Sequence, residues 1–83
     1  MMQDNKIKQY FDIKLETLDF LIKNHDDITN TDRAEVYFAD LAFFVEFFGF
    51  ANDEKFIDLA REFCKVYNLN IENYDIDIPN EGE

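Results

Sequence analysis

Few side chains in this sequence could carry covalent chemistry, and their types decide which reactions are open. The chain has one cysteine, Cys64, one histidine, His25, and no serine. A serine triad is therefore excluded, and a thiol nucleophile would need Cys64 activated by His25. Cys64 falls at the margin of an apolar helical stripe, which predicts a buried structural thiol. His25 lies beside Asp26 and Asp27 in a polar stretch, which predicts a solvated loop residue. Metal chemistry is as poorly supplied. No CxxC or HxxxH spacing exists for structural zinc. Asp26-Asp27 and Asp75-x-Asp77 offer oxygen ligands, but a calcium site needs about six to eight of these around a tight turn. The two glycines, Gly49 and Gly82, form no phosphate-cradling loop. Carboxylates abound, yet none has neighbours that would bury it and raise its pKa for general acid work. The expectation is a protein that is not an enzyme, with no cofactor and no metal.

The elements that would position these groups are helical. Only 2 Gly and 1 Pro interrupt 83 residues, so breakers are scarce and long helices are favoured. A first helix is predicted from Asp4, as N-cap, to about Lys23. Its Ile7, Phe11, Leu15, Leu18 and Ile22 repeat at the spacing of one helix face, with Tyr10 and Leu21 widening the stripe. Residues 24–30 are rich in Asn, Asp and Thr, whose side chains compete for backbone hydrogen bonds, and should form a loop. A second helix should start near Thr31, with Asp32 and Glu35 at its positive end. It should stop at Gly49, which can adopt the left-handed conformation that lets Phe50 fold back onto Val45. Asn52 is the expected N-cap of a third helix, which presents Phe56, Leu59, Ala60, Phe63 and Tyr67 on one face and ends at Asn68. From Ile71 onward, Tyr74-Asp75-Ile76-Asp77-Ile78-Pro79 alternates with period two, the pattern of an extended segment. The predicted fold class is all-α: a small three-helix bundle over residues 1–70 with an extended acidic C-terminal tail over 71–83.

The second helix carries more apolar surface than one core face needs. At 100° per residue, Tyr37, Phe38, Leu41, Ala42, Phe44, Val45 and Phe48 share a broad arc that can face the other helices. Val36, Phe43 and Phe47 form a separate ridge, flanked by Glu35, Asp40 and Glu46. Either the tail or a central position in the bundle covers this ridge, or it is a contact for a partner or a second copy.

Charge sharpens the picture. With 19 acidic and 8 basic side chains the net charge is −11, which repels phosphate backbones and anionic membranes. The first 23 residues are balanced; residues 24–54 set eight carboxylates against Arg33 alone, and residues 66–83 carry five acidic groups and no basic one. A lone cysteine suits a reducing compartment, Met1–Lys6 lacks the apolar stretch of a signal peptide, and no run approaches a membrane span. The reading is cytoplasmic, with no direct nucleic-acid binding and no membrane partner.

Residues 74–81 are similar to the acidic segment that ends the main helix of acyl carrier proteins, but the absence of serine leaves no attachment point for a phosphopantetheine arm. The first expectation is therefore an acidic inhibitor or regulator that occupies the basic, nucleic-acid-binding surface of another protein. Phage-encoded inhibitors of restriction or CRISPR effectors and antitoxin-like proteins act in this way, an analogy of class only. Its expected contacts are Asp26, Asp27, Asp32, Asp40, Asp53, Glu54, Asp75 and Asp77. The second expectation is a homodimer or assembly subunit joined through Val36, Phe43 and Phe47.

Overall fold

The computed structural model of the protein describes residues 2–74 and Ile76, with side chains from Asn5 onward. Three helices make up the described chain: α1 (Met2–Lys23), α2 (Thr31–Phe48) and α3 (Glu54–Val66). Single 3-10 turns follow α1 at His25–Asp27 and α3 at Ile71–Asn73. Phe50, just past the end of α2, stacks on Phe11 at 4.3 Å, whereas Tyr37 near its start reaches the Lys14 carbonyl. The second helix thus runs antiparallel to the first. Phe11 meets Phe56 and Tyr67 reaches Leu21, so α3 runs parallel to α1. The bundle is up-down-up.

The helix ends follow local chemistry. Asn30 caps α2 by accepting from the Arg33 amide at 3.1 Å, filling one of the donors that a helix start leaves open. At the far end Gly49 sits at φ 80° and the Phe50 amide donates to the Val45 carbonyl at 2.9 Å. The same stop recurs after α3. Asn68 takes φ 58°, and Leu69 donates back to Cys64 at 2.8 Å.

Three details of the helix starts and of the segment after α3 depart from the sequence reading. The first helix begins at Met2, so Asp4 lies within its opening turn and is not the cap. Asp53, not Asn52, caps α3: its carboxylate accepts from the Phe56 amide at 2.9 Å. The Asp53 amide is itself tied to the Phe50 carbonyl, so the tight turn after Gly49 delays the helix by one residue. The segment from Ile71 is not extended at first, because the Asn70 side chain captures the Glu72 amide at 3.0 Å and closes a 3-10 turn. Tyr74 itself has extended backbone angles; the rest of the segment expected to be extended, residue 75 and residues 77–83, lies outside the described residues.

The core is assembled from α1's Phe11, Leu15, Leu18 and Ile22, α2's Ala34, Phe38, Leu41 and Val45, and α3's Phe56, Ala60, Phe63 and Cys64. Phe38 stacks on Phe63 at 4.9 Å, and Phe63 on Tyr67 at 4.5 Å, offset geometries that add to simple burial. Two tyrosines tie the outer helices to α1. Tyr37 donates to the Lys14 carbonyl at 3.2 Å, and Tyr67 to the Leu21 carbonyl at 2.8 Å. Both helices pack mainly on α1, so the hub of the bundle is α1 and not the more apolar α2. Tyr10, expected to widen the α1 core stripe, is exposed instead.

Candidate interaction surface

Cys64 is buried on α3, and that burial pushes its thiol up to about 11. A thiol in that state holds little thiolate near neutrality, the opposite of an activated nucleophile. His25 is fixed locally. Its Nδ1 faces the Ile22 carbonyl at 3.0 Å and, since a carbonyl only accepts, must carry the hydrogen. The other ring nitrogen, Nε2, lies 3.2 Å from the Asp26 carboxylate. Among the described residues no group of three or more His, Cys, Asp or Glu side chains is arranged to hold a metal ion, and no helix is long and apolar enough to cross a membrane.

The carboxylates named from the sequence sit in three places. Asp26 and Asp27 are exposed on the 3-10 turn after α1, and Asp32 is exposed in the first turn of α2. Asp40 is exposed halfway along α2. Glu54 is exposed at the start of α3, but Asp53 beside it is half-buried and its carboxylate is engaged in the cap. Asp53 is thereby a structural residue first. Asp75 and Asp77 lie outside the described residues. At about 1.5 Å per residue the 18 residues of α2, which carry Asp32 and Asp40, span roughly 27 Å.

The ridge on α2 is open. Val36 is 60% exposed and Phe43 and Phe47 are each 69% exposed. The described start of the tail passes elsewhere: Tyr74 packs edge-on against Phe38 at 4.9 Å and donates to a Glu35 carboxylate oxygen at 3.3 Å. Burial, with the Glu35 charge and hydrogen bond next, pushes the Tyr74 phenol up to about 12.

At the C-terminal half of α2 the ridge becomes a groove, lined by Phe43, Phe44, Phe47 and Phe48 with Lys14 and Asp40. Phe47 lies edge-on to Phe48 at 4.8 Å, Phe44 tilts on Phe48 at 4.8 Å, and Phe43 tilts on Phe47 at 5.9 Å. The Lys14 ammonium stands over the Phe44 ring, 5.2 Å from its centroid, within cation–π range. The spacing places Phe48 on the core arc; it is 41% exposed because it packs against its α2 neighbours Phe44 and Phe47, while Phe50 takes the place on Phe11. Nor does the spacing single out Lys14, whose placement depends on how α1 crosses α2. A second groove lies between α1 and the first connection, lined in part by Thr17, Leu21, Asp27, Ile28, Arg33 and Tyr37. Burial raises the Tyr37 phenol there, and a hydrogen bond from Thr17 partly offsets it.

No protein-family model, no curated protein and no solved structure matches the chain.

Proposed function

We propose that the protein is a non-enzymatic acidic binding module of the cytoplasm, an inhibitor or regulator that occupies a basic, nucleic-acid-binding surface of another protein. The observation that carries this reading is the outer face of α2. Val36, Phe43 and Phe47 stand exposed there on a helix whose charges are Asp32, Glu35, Asp40 and Glu46 against Arg33 alone. Exposed aromatic clusters mark contact sites because burying them removes apolar area from water. The surrounding negative field, strengthened by Asp26 and Asp27, would accelerate encounter with a basic surface and select against nucleic acid itself.

The homodimer reading rests on the same ridge, and charge disfavours it. Two copies pairing through α2 would bring like-charged carboxylates together, whereas a basic partner would neutralise them.

The test is capture of a partner at low salt, its release at high salt and its displacement by duplex DNA. Replacing Asp26, Asp27, Asp32 and Asp40 by asparagine should abolish capture without unfolding the protein, since all four are exposed. Affinity unchanged by that variant, or unchanged by salt, would sink the proposal.

A further inference from the structure

Resting on the reading above, we propose that the groove at the C-terminal half of α2 is an arginine socket, filled by an arginine side chain from a basic amphipathic helix of the partner protein. The first support is the chemistry of the walls. Phe43, Phe47 and Phe48 line the groove with rings tilted to one another, at 36° and 70° for successive pairs, so the walls are aromatic and not coplanar. Aromatic faces carry negative potential and hold cations within about 6 Å of the centroid. The second support is that one ring of the lining, Phe44, already faces a cation, the Lys14 ammonium 5.2 Å from its centroid, which leaves Phe43, Phe47 and Phe48 to receive the arginine. The third is Asp40, an exposed carboxylate in the groove lining, which would pair with a guanidinium lying across the rings. A planar, weakly hydrated guanidinium suits a stack plus a carboxylate better than the compact ammonium of lysine does.

Helical form in the partner follows from the spacing of the ridge. Val36, Phe43 and Phe47 recur at i, i+7 and i+11 along one line of α2, the seam along which a second helix packs. Charge complementarity identifies the source as a basic protein. A second copy would offer only Arg33 from its own α2, together with four carboxylates on the same helix, and phosphate would be repelled.

The experiment uses the full chain and labelled synthetic peptides with leucine at helical spacing and arginine, lysine or glutamine at the remaining positions, followed by fluorescence anisotropy at low and high salt. The arginine peptide should bind best, about threefold to fivefold more tightly than the lysine peptide, because only the planar guanidinium can stack on a ring and pair with Asp40 in two places at once, and the glutamine peptide worst. Phe47→Ala and Asp40→Asn should each erase the preference for arginine, with circular dichroism confirming the fold. Asp26→Asn with Asp27→Asn should instead weaken both basic peptides equally. If arginine and lysine peptides bind alike and Phe47→Ala changes nothing, the socket is overturned while the acidic binding function stands. Glutamine binding as tight as arginine would make the groove merely apolar and also overturn the socket. Self-association in sedimentation that Phe47→Ala abolishes would identify the occupant as a second copy, against the proposal. Failure of every peptide to bind at low salt, with no effect of the asparagine variants, would remove the acidic function and the socket together.

Discussion

The second helix carries more apolar side chain than the third, and the two use it differently. In α3, Phe56, Ala60, Phe63 and Cys64 are buried, and the remaining positions are mostly charged. Its sequence contains about what its packing consumes. In α2, Ala34, Phe38, Leu41, Ala42 and Val45 satisfy the core, and yet Val36, Phe43 and Phe47 remain on the outside with Phe48 beside them. A phenylalanine in water costs solubility and contributes no cohesion. The contrast separates residues that the fold requires from residues that it does not, and it places the candidate interface on α2.

The largest predicted effect tests the inner half of that contrast. Phe63→Ala removes the ring stacked between Phe38 and Tyr67 and should cost about 3–5 kcal/mol in urea denaturation, the range for a buried phenylalanine. A loss below about 1 kcal/mol would mean that the aromatic stack is not what joins α2 to α3. Next in size is the cap of α3. Asp53→Ala should cost about 1 kcal/mol, whereas Asp53→Asn, an equally good cap, should be nearly neutral. Were both substitutions neutral, Asp53 would be released from its structural role and returned to the candidate contacts.

A smaller effect concerns Tyr74, which bridges from the 3-10 turn after α3 to α2. Its phenol is pushed up from 10.0 to about 12, so above pH 10 the unfolded chain loses this proton while the folded chain keeps it. The stabilisation is complete below pH 10 and is lost as pH rises towards 12. The ring is only partly buried, so solvent screening keeps the effect modest. Stability measured across that window should fall less steeply for Tyr74→Phe than for the parent. An identical slope would show that the phenol is as hydrated in the folded chain as in the unfolded one. The smallest effect is on the outer ridge, where Phe43→Ser and Phe47→Ser should each change stability by no more than about 0.5 kcal/mol. A cost of 2 kcal/mol or more would show that the ridge belongs to the core, erasing the contrast between the two helices.

Much of the fold was legible because its signals are short-range. The stops at Gly49 and Asn68 depend on one residue's tolerance of positive φ and one backbone hydrogen bond. The stripes Phe11–Leu15–Leu18–Ile22 and Phe56–Ala60–Phe63 needed only the helical period to be read. The sequence points one residue too early, to Asn52, because Asn52 and Asp53 are both good caps and the turn after Gly49 chooses Asp53. Part of the candidate site was legible too: Val36, Phe43, Phe47 and Asp40 were visible as surplus on α2, but Lys14 and Phe48 were not.

What the sequence determined by itself, then, is the extent of three helices, the buried face of α1 and α3, and the uneven placement of negative charge, since each follows from neighbours within a few residues. Only the tertiary structure decided that α1 is the hub, that Tyr74 turns towards Phe38, that Val36, Phe43 and Phe47 stand exposed, and that Lys14 comes to rest over Phe44. An apolar helix surface has no preferred partner until other helices compete for it. On α2 two such surfaces existed, and packing against α1 and α3 buried one and left the other to water.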